Sequence, residues 1–388
     1  MKSQNISERP PKVLLLGDYS NCHRSLATGL RALGCDVTVV SDGSLWLDCE
    51  RDVDISRKPG KAGGIELAWR LYFGRLRHHL EGNDVVAVND PNFVKLRPQL
   101  LAPLFDRLVK RNKAVFLTSM STDIAYLDML AAADSPLRYS EWFVDGEPSR
   151  MYKANPAKWD EWHAPALVKY QRDVLARIDG AVSVLYEYQL GMERALGAGR
   201  AAYGGIPIDT SAFEPQQLPD KIDKVRIFLG RDRYRKLMKG SDLLEIAAKR
   251  VVERHPEKAE LVIVENRPYR EFVELLKDSH LVLDQIYSYT PATTALMAMA
   301  YGLNVVSGGE PEYYDFIGET GNRPVINAPV ELDPLTDAIE RVVLNPREIA
   351  ERGRRSHEFV VKHNDATVVA RRFLDFWTQK MHDKGCWT

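Results

Sequence analysis

The sequence predicts an α/β protein of two domains, each built on a parallel sheet. Apolar runs of buried-strand type alternate with helical stretches along the chain, in the order of repeated βαβ units. The alternation starts afresh at Val225–Gly230, after the proline-rich polar segment Ser211–Lys221, which is the best linker candidate. The length of 388 residues also exceeds that of one core of ordinary size.

Composition places the chain among ordinary globular proteins. Apolar content of 45% and charged content of 28% are typical of that class, and a net charge of −1 gives no reason to expect nucleic acid as a partner. No apolar run is long enough to span a membrane, and Met1–Pro11 is polar rather than signal-like. The four cysteines form neither a CxxC pair nor a metal-ligand spacing. We therefore expect a reduced cytoplasmic setting, with peripheral membrane contact left open.

The first half supplies one sheet. Lys12–Gly17 is the continuous apolar run of a central strand, and a helix is predicted from Ser25 to Leu33, ending at Gly34. The other predicted strands are Cys35–Val40, Val85–Val88, Ala114–Leu117, Gly180–Val184 and Gly205–Asp209. The first domain is therefore predicted to span residues 1–210.

The second half repeats the alternation. Its predicted strands are Val225–Gly230, Glu260–Val264, Leu281–Leu283, Val305–Val306 and Pro324–Asn327. Its predicted helices are Ser241–Glu253, Tyr269–Lys277, Leu335–Val343 and Arg347–His363. The second domain is therefore predicted to span residues 211–365, and a final helix, Ala366–Met381, occupies the segment 366–388.

Ligands of open α/β sheets bind beyond the carboxyl ends of the strands, so the turns after strands are the candidate sites. The first such turn of the second half, Gly230–Gly240, is strongly cationic. Its basic residues are Arg231, Arg233, Arg235, Lys236 and Lys239. Arginine can hold phosphate oxygens bidentately and lysine acts as a point charge, which suits a diphosphate. The alternative is a solvated basic loop.

The second turn precedes a short helix. Thr290 is predicted to be its N-cap, with Pro291 at the first helical position, where a missing N–H costs nothing. The backbone N–H groups near Ala292, Thr293 and Thr294 would then be free to bind a phosphate. The alternative is an ordinary βαβ unit in which the cap is only a cap.

The third turn is Ser307–Glu312. Gly308 and Gly309 allow close backbone approach, and the carboxylates of Glu310 and Glu312 can accept hydrogen bonds from hydroxyls. The alternative is a plain βα turn with glutamate near a helix start. Together the three turns offer cations, free N–H groups and hydroxyl acceptors, which a nucleoside diphosphate joined to a sugar requires.

The cationic turn resembles that of the glycosyltransferases of GT-B fold, especially the large group-1/family-4 class of retaining enzymes. Their second domain carries a Gly-Arg…Lys-Gly turn, which Gly230 with Arg231 and Lys239 with Gly240 match. We expect Arg231 and Lys239 to stabilise the negative charge that develops on the departing diphosphate.

Further motifs carry the same resemblance. The class has a Leu-Glu-Ala-Met-Ala-x-Gly pattern at a helix end, to which Leu296–Gly302 is similar, followed by a glycine turn like Gly308–Gly309. The likeness covers most of residues 225–365. The first half fits more loosely, through Gly17 and the pattern Leu26–Gly34.

The resemblance implies two Rossmann-like domains that face each other across a cleft, with the C-terminal helix crossing back to the first domain. It implies a nucleotide-diphosphate sugar on the second domain and a glycan, lipid-linked or small-molecule acceptor on the first. No metal and no cofactor is expected, because arginine and lysine can neutralise the diphosphate. Retention of the anomeric configuration is implied by the family alone.

The sequence departs from the family at two positions. The class usually has two glutamates eight positions apart, and here those positions hold Tyr289 and Met297. The second glutamate commonly holds the ribose hydroxyls of the donor, and methionine cannot accept such bonds. Glu310 or Glu312 is the candidate substitute, and loss of activity is the alternative.

The first half offers weaker candidates. His23 follows the first strand and is a candidate to assist an acceptor hydroxyl or contact donor phosphate, or else is structural. Asp123 is a candidate to orient a sugar hydroxyl, or else caps the next helix. Asn89–Asn92 is a similar polar strand end. The aromatic segment Tyr139–His163 either shapes an acceptor site or packs on the first domain.

The sequence thus predicts a glycosyltransferase of carbohydrate biosynthesis that uses a nucleotide-diphosphate sugar. The chain has no complete dinucleotide fingerprint, GxxxxGK[ST] loop, HExxH motif or GxSxG elbow. Two alternatives stay open: a nucleotide-sugar epimerase of the same architecture, and a non-catalytic protein that binds a nucleotide sugar or glycan.

Overall fold

The chain folds into two α/β units, each built around its own parallel sheet. The computed structural model describes residues 10–44, 47–219, 221–232, 234–265 and 267–386. The strands, in chain order, are β1 Lys12–Leu16, β2 Asp36–Ser41, β3 Val53–Asp54, β4 Val85–Val88, β5 Ala114–Ser119, β6 Phe143–Val144, β7 Glu147–Pro148, β8 Gly180–Ser183, β9 Ala201–Tyr203, β10 Val225–Arg231, β11 Ala259–Glu265, β12 Leu281–Leu283, β13 Asn304–Ser307 and β14 Ile326–Asn327.

The helices surround these sheets. In chain order they are α1 Cys22–Ala32, α2 Gly60–Tyr72, α3 Pro98–Arg111, α4 Ile124–Leu130, α5 Arg150–Ala154, α6 Pro156–Trp162, α7 Pro165–Arg177, α8 Tyr186–Leu196, α9 Lys236–Lys239, α10 Ser241–Arg254, α11 Tyr269–Lys277, α12 Thr293–Ala300, α13 Pro311–Phe316, α14 Leu332–Leu344, α15 Ile349–Asn364 and α16 Ala366–Asp383. Among the described residues, none of these helices has both the length and the apolar content that crossing a bilayer requires.

The first unit carries a seven-stranded sheet in the order β3-β2-β1-β4-β5-β8-β9, with every neighbouring pair parallel. The second unit carries a five-stranded parallel sheet in the order β11-β10-β12-β13-β14. The strand order reverses between β1 and β4 in one sheet and between β10 and β12 in the other. Each sheet therefore has a switch point at which the turns after neighbouring strands diverge and leave room for a ligand.

The last helix belongs to the first unit, as predicted. α16 packs on α1 so closely that a β-carbon on Gly29 would lie 2.0 Å from the carbonyl oxygen of Ala366. Phe373 and Trp377 on α16 are fully buried. Burial of each aromatic side chain contributes about 2–3 kcal/mol, so α16 is an integral part of this core. The prediction of two parallel-sheet α/β units is confirmed.

Two local expectations differ from the structure. The last strand of the first sheet is β9, Ala201–Tyr203, and the predicted strand Gly205–Asp209 is wrong. Gly205 has a φ of +86°, which turns the chain out of the strand, and Pro207 cannot donate to a ladder. In addition, residues 130–159 group with the second unit, although they fall inside the span predicted for the first.

Candidate functional site

The candidate site of the second unit lies at the carboxyl edge of its sheet. β10 neighbours β12, β12 neighbours β13, and all run parallel, so the turns after these three strands emerge at one edge. These are the three turns that the sequence singles out. The structure therefore brings the cationic turn, the helix start and the glycine turn together.

Arg231 is the last residue of β10 and is held by two glutamates. Its Nε donates to Oε2 of Glu265 at 2.5 Å, and its Nη1 donates to Oε2 of Glu245 at 2.7 Å. Hydrogen bonds from Lys249 and Arg231 hold the pKa of Glu245 below its usual range. Arg231 is thus a fixed cation whose side chain is one-third exposed. Gly230 lies beside it in the strand, and Arg233 lies outside the described residues.

Lys239 connects the cationic turn to the other two strand ends. Its Nζ donates to Oδ1 of Asp284 at 3.1 Å, and Oδ2 of Asp284 accepts from the hydroxyl of Ser307 at 3.1 Å. The backbone N–H of Ile286 also donates to the carbonyl of Lys239 at 3.0 Å. Asp284 is buried, whereas about a quarter of the Lys239 side chain is exposed. One carboxylate therefore links the ends of β12 and β13 to the lysine.

The helix after β12 begins later than predicted. α12 starts at Thr293 with Ala292 as its N-cap, so the prediction of Thr290 as N-cap and Pro291 as first helical residue is wrong. Thr290 instead sits in a turn in which its carbonyl accepts from the hydroxyl of Ser288 at 2.7 Å. The Ser288 side chain thus bonds a backbone group of Thr290 in place of a helical hydrogen bond. The first N–H groups of the helix are those of Thr293 and its successors, half-buried at the same edge.

The glycine turn packs directly on the turn after β12. A β-carbon on Gly308 would lie 2.2 Å from the carbonyl oxygen of Ser288, so only glycine fits there. The backbone N–H of Gly309 donates to Oδ1 of Asn327 at 3.0 Å. The N–H of Glu310 donates to the carbonyl of Tyr289 at 3.2 Å. The second and third turns are therefore one bonded unit.

Glu310 and Glu312 are held by a residue that the sequence analysis did not select. Arg138 donates from Nη2 to Oε2 of Glu310 at 2.6 Å and from Nη1 to Oε1 of Glu312. The hydroxyl of Tyr139 and the amide of Asn327 both donate to Oε1 of Glu310 at 2.6 Å. Glu310 is buried and fully engaged. Glu312, with 39% of its side chain exposed, is the more accessible carboxylate.

The two positions where the family has glutamate are occupied by packed side chains. Tyr289 is buried, its hydroxyl accepts from the N–H of Arg138 at 2.7 Å, and its ring lies 4.8 Å from that of Tyr139. Met297 is also buried, and the hydroxyl of Tyr269 donates to its sulfur at 3.5 Å. Both side chains are thus held at this edge by aromatic and thioether contacts.

His23 is enclosed at the carboxyl edge of the first sheet. Its Nδ1 lies 2.7 Å from the carbonyl of Gly17 and its Nε2 lies 2.9 Å from the hydroxyl of Thr118. Because a carbonyl can only accept, Nδ1 carries the proton and Nε2 accepts from the threonine. Burial lowers the pKa of His23 to about 4. The ring is therefore a neutral bridge from β1 to β5, and the structure gives it no exposed atom for a substrate.

Three buried carboxyls share that edge. Burial raises the pKa of Asp18 to about 7, of Asp90 to about 6 and of Asp123 to about 7. Asp18 accepts from the N–H groups at the start of α1, at 3.0 and 3.2 Å. Asp123 accepts from the N–H of Tyr126 at 3.0 Å, which is the capping alternative considered for it. Asp18 and Asp123 thus hold helix starts, and all three residues are 3% exposed or less.

A small cavity of about 30 Å³ opens beside them, at the switch point between β1 and β4. Its polar lining residues are Asp18, Tyr19, Asp42, Arg57, Asn89, Asn92 and Lys95. Asn89 is buried, and its Oδ1 has no hydrogen-bond partner among the described residues. The acceptors among the lining residues suit a ligand that donates a hydrogen bond, such as a hydroxyl.

The sequence analysis missed the partners of the second-unit site. Asp284, Glu245 and Glu265 are single acidic residues outside any family motif. Arg138 and Tyr139 lie more than 150 positions from the turns they contact. One signal in the sequence pointed to this region, because the aromatic segment Tyr139–His163 was a candidate to shape an acceptor site. The sequence does not show that this segment contacts Glu310.

In the part of the chain that the structure describes, no three His, Cys, Asp or Glu side chains gather as metal ligands.

Sequence comparisons leave the chain unassigned. No protein-family model matches it. No curated protein matches it in sequence either.

Solved structures do share the fold. The chain is similar to sucrose-phosphate synthase from Thermosynechococcus elongatus, with a TM-score of 0.59 and 14% identity over 97% of this chain and 100% of that one. It is similar to HepE from Anabaena, crystallised with UDP-glucose, with a TM-score of 0.57 and 13% identity over 95% and 100%. A putative UDP-N-acetylglucosamine 2-epimerase from Listeria monocytogenes gives 0.54 and 12% over 98% of each chain. These likenesses show the fold alone, two α/β units on parallel sheets as in GT-B proteins.

Proposed function

We propose that the chain transfers a sugar from a nucleotide-diphosphate sugar to a hydroxyl-bearing acceptor. One observation carries the proposal: the ends of β10, β12 and β13 bring two cations, a helix start and a hydroxyl-accepting carboxylate to one edge of a parallel sheet. That combination of groups suits a ligand in which a diphosphate is joined to a sugar. Solved structures of the same architecture, one of them holding UDP-glucose, are consistent with it.

In this proposal Arg231 and Lys239 face the charge that develops on the departing diphosphate. Both cations are held in place by carboxylates, so they need little reorganisation as the glycosidic bond breaks. The backbone N–H groups and hydroxyls of Thr293 and Thr294 add contacts to phosphate oxygens. Glu312 accepts a sugar hydroxyl. A metal ion is not needed, and retention is the expected stereochemistry.

The acceptor belongs to the first unit in this proposal. The cavity at the switch point offers hydrogen-bond acceptors among its lining residues, such as Asn92, to a donating hydroxyl. The acceptor oxygen forms the new bond to the anomeric carbon, and its proton leaves with the diphosphate. His23 and Asp123 do not touch substrate, since both are fully enclosed. They position the strand ends and helix starts around the cavity.

Binding is tested by titration calorimetry with UDP-glucose, GDP-mannose and ADP-glucose. We expect at least one to bind, and Lys239→Ala to weaken it by about tenfold or more, because a charge-assisted contact to phosphate is lost. Lys236→Ala is the matched control. It removes the same charge from the same short helix, and Lys236 is exposed without an ion pair among the described residues. Failure of all three donors to bind would contradict the proposal.

Transfer is tested separately from binding. With a donor labelled in its sugar, we expect label to move to a glycan or polyol acceptor faster than it appears as free sugar. Arg231→Ala should slow transfer, with thermal melting to confirm that the fold survives. Equal release of free sugar with and without acceptor would indicate a hydrolase and overturn the transfer step.

The second candidate is a non-catalytic protein that binds a nucleotide sugar. Tyr289 and Met297 favour it, since both positions lack the carboxylates of the family and are filled by packed side chains. It predicts donor binding that depends on Lys239, with no turnover under any acceptor. An epimerase would instead convert the sugar without an acceptor, which product analysis of the same reactions reveals.

A further inference from the structure

Helix α2 of the first unit carries a row of large apolar side chains that the chain leaves exposed. Ile65, Trp69 and Phe73 are 69%, 61% and 75% exposed. Ile65 and Trp69 lie one turn apart on one face of α2, and Phe73, the C-cap that follows Tyr72, continues the row to a length of about 12 Å. The opposite face packs into the core through Leu67 and Leu71. Helix α2 thus has two apolar faces, one packed on the core and the other exposed to solvent.

Single exposed apolar residues are common, but a contiguous row that includes two aromatic rings marks an interaction surface. The rest of the described surface differs in this respect. Its other exposed apolar residues are single ones: Tyr234, in a turn, is 94% exposed, and those on helices, such as Ile246 in α10 and Leu344 in α14, are 45% exposed or less. The stripe on α2 is therefore a local feature of the first unit.

Positive charge surrounds the stripe. Residues 57–79 contain six arginine and lysine residues and one glutamate, which gives the segment a charge of +5 with histidine neutral. The whole chain has a net charge of −1, so the remainder carries −6. Lys58 pairs with Glu66 at 3.7 Å, and Arg70 donates to backbone carbonyls, which leaves its charge uncompensated. Lys61 extends the stripe by one turn, and Arg75 follows it.

We propose that this face of α2 docks on an anionic lipid bilayer. Trp69 and Phe73 suit the headgroup boundary, where amphipathic aromatic rings are favoured, and Ile65 extends the apolar contact. Lysine and arginine beside them are attracted to anionic headgroups. A second copy of the chain is a poorer occupant, because two such faces would each bring a charge of +5 into contact. The proposal does not depend on the chemistry of the second unit.

Co-sedimentation with vesicles tests the proposal. We expect the full-length protein to pellet with vesicles of phosphatidylcholine containing roughly 30 mol% phosphatidylglycerol, and about tenfold less with phosphatidylcholine alone. Binding should weaken as salt rises, because the attraction of exposed charges is screened. Replacement of Trp69 and Phe73 by serine should reduce binding to the anionic vesicles by about tenfold. Both side chains are exposed, so the fold should be unaffected.

Matched variants separate the stripe from general effects. Ile246→Ser with Leu344→Ser removes exposed apolar side chains elsewhere and should leave vesicle binding unchanged. Arg75→Glu with Arg77→Glu should abolish the preference for anionic vesicles, whereas Arg270→Glu with Arg371→Glu, an equal change of net charge, should not. Equal loss in the control pairs would overturn the proposal. So would a concentration-dependent dimer, by light scattering, that is lost in the Trp69 and Phe73 variant.

Discussion

The carboxyl edges of the two sheets differ in whether their ionisable side chains favour the charged or the uncharged form. At the edge of the first sheet, burial favours the uncharged forms, raising the pKa of Asp18 to about 7 and lowering that of His23 to about 4. At the edge of the second sheet, carboxylates stay ionised because cations pair with them, as Glu245 does with Arg231. The first edge thus holds buried carboxyls that favour the uncharged form beside the ion pair of Lys95 with Asp42, whereas the second is a network of ion pairs.

This difference matches the chemistry proposed for each unit. A hydroxyl acceptor needs hydrogen-bond partners and no strong field, whereas a diphosphate needs fixed cations. Burial alone would suppress charge at both edges, since an isolated buried ion is costly. The second edge keeps its charges because each cation has a carboxylate partner and partial contact with solvent.

The largest expected effect concerns the packing of the second edge. Gly308→Ala forces a β-carbon against the carbonyl of Ser288, so the two turns must separate. We expect the free energy of unfolding to fall by about 3 kcal/mol, measured by urea denaturation. Gly199→Ala, where nothing lies within 4 Å of the added carbon, is the control and should change little. Equal stability of the two variants would show that the turns are not in contact.

A smaller effect, with a defined pH dependence, is expected at the first edge. The folded-state pKa of Asp123 is raised from 3.8 to about 7, so the folded protein binds the proton more tightly than the unfolded chain, and stability declines as pH rises through this range. Asp123→Asn cannot ionise, and Asn can still accept from Tyr126. Its stability relative to wild type should therefore grow from near zero at about pH 4 to about 2 kcal/mol at about pH 8.

The control for this series is Asp375→Asn, on an exposed position of α16. Its stability should differ little from that of wild type, because the side chain is exposed. If Asp123→Asn instead lost stability at high pH, the aspartate would be an ionised cap and the contrast between the edges would fail.

The smallest effect has the opposite sign of pH dependence and belongs to the second edge. The folded pKa of Glu245 is held below 4.5, so its contribution is present above the unfolded pKa and is lost as pH falls through the folded one. Glu245→Gln should therefore cost about 1 kcal/mol at neutral pH, with the difference vanishing in acid. Glu253→Gln, an exposed position on the same helix, should be neutral. Equal pH profiles for Glu245→Gln and Asp123→Asn would contradict the comparison.

Much of the fold was predictable because strand and helix signals are local. The runs at Lys12–Gly17 and Leu281–Leu283 became β1 and β12, and the restart at Val225 became β10. The start of α12 was predicted wrongly, because the hydroxyl of Ser288 bonds the backbone of Thr290 and delays the helix. That competition depends on where the chain turns, which residue type alone does not decide.

The candidate site, like the fold, was predictable only in part. Its three turns were predictable, since parallel strands must end at one edge, and a glycine, a cationic run and a hydroxyl pair are visible in the sequence. Their assignment as a donor site stays a prediction. The ion pairs of Arg231 and Lys239, and the engagement of Glu310 by Arg138, were not predictable, because the partners are distant in sequence.

The sequence by itself determined the two parallel sheets, the last helix and the strand-end turns, because hydrophobic periodicity and turn chemistry act over a few residues. Only the tertiary structure decided that residues 130–159 join the second unit, that His23 is sealed, and that Ile65, Trp69 and Phe73 stay uncovered. The burial of a side chain and its ion pairs depend on which segments, distant in sequence, pack together. That packing decides whether the side chain is charged and whether a partner can reach it.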